Sequence, residues 1–263
     1  MSADPVVLIG LERPEVADLR SRIHRPVLAF ELLPKIQLRR GELFVGQLGT
    51  WDWNGPVAAV VFHGIFENDL PTLAALALWG GPCLPSAHGM LDCRPRIPNL
   101  ARVRRVSRFA ALPRGYAGPG TTFASDTPTV AKWGEWHCGE GKELFAGTWT
   151  ATKPTLLEPF VEGDAVRVTV VGDMFWQFRM GGEGWKKSIH HPDTQTIAID
   201  PELADDVRTM KNDFDLSVCA ADYIITRDGA KHLLELNHIP DVAAFPEVRT
   251  AYLEWVAKWV NER

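Results

Sequence analysis

Asp222-Tyr223-Ile224-Ile225-Thr226-Arg227-Asp228-Gly229, followed after one residue by Lys231-His232-Leu233-Leu234-Glu235-Leu236-Asn237, reads as a β-hairpin. Residues 222–226 are rich in β-formers, Arg227-Asp228-Gly229 is a turn signal, and 231–237 resumes the extended pattern. Side chains alternate faces along a strand, so Glu235 and Asn237 point the same way. Asp222 can lie across from them on the paired strand. Three hard oxygen donors on one face of a sheet make a site for Mg²⁺, which leaves its other positions to water and phosphate. The competing reading is a set of acids solvated at strand ends. Glu235 counts against it, because it sits between leucines in a run fit for burial, where an unpaired carboxylate is costly.

The 263-residue chain has room for one large domain or two to three small lobes. Its net charge of −5 makes no electrostatic case for nucleic acid or an anionic membrane as partner. No apolar run approaches the ~20 residues of a membrane helix. Residues 1–5 lack a basic start, so 6–9 is expected as a first strand rather than a signal peptide. The four cysteines form no Cys-x-x-Cys pair, which points to reduced thiols in the cytoplasm and away from zinc. Ten scattered tryptophans fit packing as well as recognition.

Upstream, 6–9, 27–30 and 57–62 read as strands, and 15–24 and 70–79 carry helical spacing. That alternation predicts a small α/β lobe on a mostly parallel sheet. Residues 80–98, dense in Pro and Gly, read as an inter-lobe boundary. A short basic helix is expected over 99–109, its arginines forming a solvated face.

From about 121 the chain turns β-rich. A strand over 129–132 ends in Lys132 and runs into a loop bearing Gly134, Gly139 and Gly141. Glycines there let backbone N–H groups approach a phosphate, although Glu140 after Gly139 excludes a Walker A loop. Arg167 and Arg179 lie inside apolar strands, 165–171 and 174–179. Each needs an anionic partner, from a ligand or from an acid of the fold. Residues 185–191 read as a polar loop whose two histidines are surface residues. Helices are expected over 201–214, capped by Asp200, and over 247–261 with one apolar face.

In this order the elements resemble the ATP-grasp superfamily over roughly residues 85–245. The branch most resembled holds ribosomal-protein glutamate ligases and glutathione synthetases. The resemblance implies an α/β (α+β) fold in three lobes: 1–84, a central lobe over 85–155, and a C-terminal lobe over 156–263, with ATP between the last two. It assigns phosphate contact to Lys132, Gly139 and Gly141. Adenine contact falls to the linker Glu158-Pro159-Phe160-Val161 and ribose contact to Asp164. Arg167 resembles the arginine facing the transferred phosphate or acceptor carboxylate. Arg179 and Lys186-Lys187-Ser188 resemble substrate-side elements. Asp222, Glu235 and Asn237 match the metal set, with Pro240 behind it.

Two departures stand out. The loop carries Trp136 and His137 where small residues are usual, and Lys142 where an apolar residue is usual. An Asp-Lys pair ahead of the central lobe is replaced by Asp92-Cys93-Arg94, leaving Arg94, Arg96 or Arg102 to substitute. The implied activity is ATP- and Mg²⁺-dependent carboxylate–amine ligation through an acyl-phosphate, with Mn²⁺ as a substitute metal. Carboxylate and amine substrates, small or peptidic, are the expected partners, and a homodimer is left open. Another ATP-dependent phosphoryl transfer and a non-catalytic nucleotide-binding role are the alternatives.

Overall fold

The computed structural model describes residues 4–134 and 141–263. Its N-terminal lobe runs β1 (Val6–Ile9), α1 (Arg13–Arg22), β2 (Val27–Phe30), β3 (Lys35–Arg39), β4 (Glu42–Gly46), β5 (Ala59–Phe62), α2 (Leu70–Trp79) and β6 (Cys83–Leu84). Strands pair in the order β2-β1-β5-β6, all parallel. β1 and β5 are buried throughout, as continuous apolar runs in a covered parallel sheet should be. The β3–β4 hairpin escaped the sequence reading. It turns at Arg40-Gly41, both at positive φ (53° and 83°), and it buries Leu43 and Val45 against the lobe.

The Pro/Gly-rich passage is more ordered than its composition predicts. It contains β6 and α3 (Ala87–Cys93), whose N-cap Ser86 accepts from Gly89 N. The basic helix α4 (Arg96–Val106) begins and ends three residues earlier than expected. Pro95 leads into it, and it stops at Ser107, which donates to buried Asp206 at 2.7 Å.

Next come β7 (Gly115–Ala117), β8 (Thr122–Trp133), β9 (Lys142–Thr150) and β10 (Thr155–Pro159), an antiparallel sheet in the order β7-β10-β8-β9. The last unit holds β11 (Asp164–Val171), β12 (Met174–Arg179), β13 (Gln195–Ile197), α5 (Pro201–Asp213), β14 (Val218–Ile225), β15 (Lys231–Asn237) and α6 (Pro246–Asn261). Its antiparallel sheet runs β13-β12-β11-β14-β15. Asp200 caps α5 as the sequence predicts, accepting from Glu202 N at 2.9 Å.

Alternation sorts this sheet into two faces. Val166, Val168 and Val170 join Ala221, Tyr223 and Leu236 in a core with Leu100 and Val103 of α4 and Leu203 and Val207 of α5. On the opposite face, α6 brings Tyr252 and Val256 into one cluster with Val171 and Phe178. The rest of that face carries the polar residues of the site.

Candidate active site

Arg167, Asp222 and Glu235 stand in one row across β11, β14 and β15. Asp222 is the cross-strand partner of both others, so the three side chains rise from one face. Asn237 follows on the same face, and its amide nitrogen donates to Asp222 Oδ2 at 3.3 Å. A register shift beside Asp222 pairs Tyr223 with Leu233 and makes Leu234 an extra residue. Strict alternation would send Leu233 and Glu235, two apart, to the same face. The bulge instead lets Leu233 enter the core while Glu235 faces the site.

This face looks into a cavity of about 430 Å³, within the usual range for small-molecule sites. One side is Arg167, Asp222, Leu234, Glu235 and Asn237. The four-stranded sheet supplies Val130, Lys132, Lys142 and Glu158. The N-terminal lobe adds His63 and Ile65, just past the carboxyl end of β5. The polar loop contributes Trp185, Lys186, Lys187, Ser188 and His190.

The charges of Arg167, Asp222, Glu235, Lys132 and Glu158 are paired within the protein. Arg167 holds Asp222 through two hydrogen bonds of 2.7 and 2.8 Å. Burial works against that guanidinium, but the Asp222 carboxylate outweighs it and raises the pKa. Arg96 of α4, 2% exposed, donates from Nη1 to Glu235 Oε2 at 3.2 Å. Its Nε donates to Gly134 O at 3.3 Å. Lys132 is 4% exposed and ion-paired with Glu158; burial lowers its pKa, with Glu158 opposing. Arg114 also donates to Glu158, at 3.3 Å, and to Leu233 O at 2.6 Å, tying β10 to β15. Burial pushes the His63 imidazole down to about 4, against the pull of Asp241 and Glu15.

The donor set fits magnesium held with a nucleotide. Asp222, Glu235 and Asn237 are 5–6% exposed hard oxygen ligands on one face. Among the described residues no group of three His, Cys, Asp or Glu side chains could hold a metal. Among the described residues the donors on this face are two carboxylates and an amide, which suits an ion completed by water and phosphate oxygens.

The segment expected to contact adenine ends at the cavity too. Glu158, Pro159, Phe160 and Val161 all line it, and Phe160 N donates to Pro128 O at 2.9 Å. Gly141 sits at φ +62°, where a Cβ would come within 2.3 Å of Trp133 O. That backbone crossing needs glycine, and it closes the loop between β8 and β9. Gly139, like Trp136 and His137, lies outside the described residues.

Two expected residues stand elsewhere. Asp164 is exposed at the first position of β11, sharing the face of Val166 rather than that of Arg167, and does not line the cavity. Arg179 pairs across from Val166, is exposed, and likewise does not line it. The three candidate arginines separate as well. Arg96 reaches Glu235, Arg94 makes a buried pair with Asp69 at 2.9 Å, and Arg102 sits at the surface with Asp92 and Asp213. Arg114 was missed, and a lone arginine in Pro113-Arg114-Gly115 carries no signal of its buried role.

No protein-family model and no curated protein matches the chain. Solved structures do. The macrocyclase MdnC of Microcystis aeruginosa, bound with its precursor peptide MdnA, superposes with a TM-score of 0.62 at 14% identity, covering 97% of this chain and 99% of its own. The ATP-grasp ligase PsnB, complexed with a phosphomimetic variant of its minimal precursor, Mg and ADP, gives 0.60 at 18% identity over 97% and 98%. D-alanyl-alanine synthetase A of Vibrio cholerae gives 0.66 at 12% identity over 100% and 98%. Such distant likeness over nearly the whole length speaks for architecture alone: the chain adopts the ATP-grasp fold.

Proposed function

We propose that this chain is an ATP- and Mg²⁺-dependent ligase joining a carboxylate to an amine, with release of ADP and phosphate. The observation that carries it is the Arg167–Asp222–Glu235 row, with Asn237 beside it, facing a cavity between two sheets. Lys132 and Glu158 face the row from the other sheet, and Phe160 beside them offers an apolar surface for a base. Bound magnesium would draw charge from the phosphate oxygens.

The chain's own residues position and neutralise. Lys132 and Arg167 counter charge on the phosphate chain, Arg167 by turning one of its N–H groups from Asp222 toward it. Asp222, Glu235 and Asn237 fix where the phosphates sit. The acceptor carboxylate attacks the terminal phosphorus, ADP leaves, and the acyl-phosphate is then displaced at its carbonyl carbon by the amine with loss of phosphate. No side chain need become covalently attached, so positioning carries the reaction. Lys186, Lys187 and His190 at the polar loop face the acceptor half.

Precursor peptides bound to MdnC and PsnB make peptide carboxylates and amines the first substrates to try. Unbridged Cys83, Cys93 and Cys219, the last two buried, fit a reducing cytoplasm. Among the described residues no helix is long and apolar enough to cross a membrane. The test is mass spectrometry of protein, ATP and Mg²⁺ incubated with pooled amino acids and peptides. ADP together with a product lighter by one water than its two precursors is expected. ADP with no amine-dependent product would point instead to phosphoryl transfer without ligation.

A further inference from the structure

Lys142 is the cation of the four-stranded sheet that the pairing above leaves over. It opens β9 directly across from Lys132, at the other end of the glycine loop, and both line the cavity. Ammonium groups opposite each other on an antiparallel pair repel. Lys142 accordingly adds to the forces lowering the Lys132 pKa, after burial. Glu158 takes up the charge of Lys132. Among the described residues no carboxylate pairs with Lys142, which is half-buried rather than free in water. An ammonium held beside a like charge and facing a cavity gains a partner when an anion enters.

We propose that Lys142 supplies a second phosphate-binding cation of the nucleotide site, reaching the phosphate chain from the far side of the loop. It thereby takes the place of the lysine missing ahead of α4. Arg96 is turned elsewhere: it donates to Glu235 and Gly134, and it does not line the cavity. A compact ammonium with three rotatable donors suits the shifting oxygens of a phosphate chain. The inference rests on the nucleotide-binding part of the function proposed above.

The test is isothermal titration of ATP, ADP and adenosine, each with Mg²⁺, into the wild type, Lys142→Met and Lys142→Arg. Lys142→Met should weaken ATP and ADP roughly ten- to a hundredfold, the usual worth of a hydrogen bond to a charged group. Adenosine affinity should not change, and Lys142→Arg should recover most of the loss. Should Lys142→Met fail to fold, Lys142→Gln is read in the same way. Equal ATP affinity in wild type and variant overturns the role of Lys142 and leaves the ligase reading standing. Equal losses for ATP and adenosine overturn it as well, because the substitution then disturbs the pocket at large. No ATP binding by the wild type overturns both.

Discussion

Glu235 is 5% exposed and held by Arg96 at 3.2 Å, so its charge serves both the fold and the proposed metal. Glu235→Gln keeps the shape and an acceptor oxygen while removing the charge. We expect that variant to stay folded by circular dichroism, at a lowered Tm, and to lose Mg²⁺-dependent ADP release. Ordinary turnover would remove Glu235 from the metal set.

His63 gives a pH signature. Its folded value of about 4 lies below the ordinary 6.5, so the unfolded chain binds the extra proton. The contribution is intact above pH 6.5 and is lost as pH falls toward 4, by up to about 3 kcal/mol. His63→Asn should therefore flatten the decline of Tm between pH 6.5 and 4; a curve parallel to wild type would exclude the effect. At this scale the sequence showed the gathering of Asp222 and Glu235 on one face well, because Glu235 among leucines is a local anomaly. It could not show that Arg96 rather than Arg94 or Arg102 meets Glu235. That depends on the packing of α4 beneath the sheet, which spacing within α4 does not encode.

At the scale of elements, the β14–β15 pair decides the site, and its bulge decides which way Glu235 faces. Deleting Leu234 brings Leu233 and Glu235 into ordinary alternation, each still on its present face. That variant should retain Mg²⁺-dependent nucleotide binding in calorimetry and lose affinity for adenosine through the missing cavity wall. Loss of the metal dependence would show that the bulge does more than re-aim one residue. The hairpin was legible from its turn residues and β-formers, whereas the bulge was not, since Leu233-Leu234 reads as plain strand. Arg167 was legible as a charge inside a strand, and its partner Asp222 was not, because cross-strand register lies outside the sequence of either strand. Arg179 and Asp164 carry the complementary lesson. Each sits one position from residues that line the cavity, and a strand turns every second side chain away.

At the scale of the whole molecule, three sheets meet at one cavity, and each brings a different chemistry: an arginine-held pair of carboxylates, a lysine–glutamate pair, and a neutral histidine. A ligand that bridges them stabilises the assembled form over the unfolded chain. At a hundred times its Kd, Mg·ATP should add about 2.7 kcal/mol, and Tm should rise by roughly 5–10 °C. Differential scanning calorimetry with ATP alone, Mg²⁺ alone and both separates the contributions, and only the combination should give the full rise. The passage from a parallel sheet to antiparallel ones was foreseeable from the change from β-α alternation to β-rich chain near residue 121. The role of α4 was not, because its packing on the far face of the last sheet joins residues more than a hundred positions apart.

The most direct measurement is a crystal structure of the protein with Mg²⁺ and a non-hydrolysable ATP analogue. The metal should lie about 2.1 Å from oxygens of Asp222, Glu235 and Asn237, with the triphosphate between the two antiparallel sheets and within reach of Lys132. A metal ligated elsewhere, or a nucleotide outside that cleft, would contradict the account.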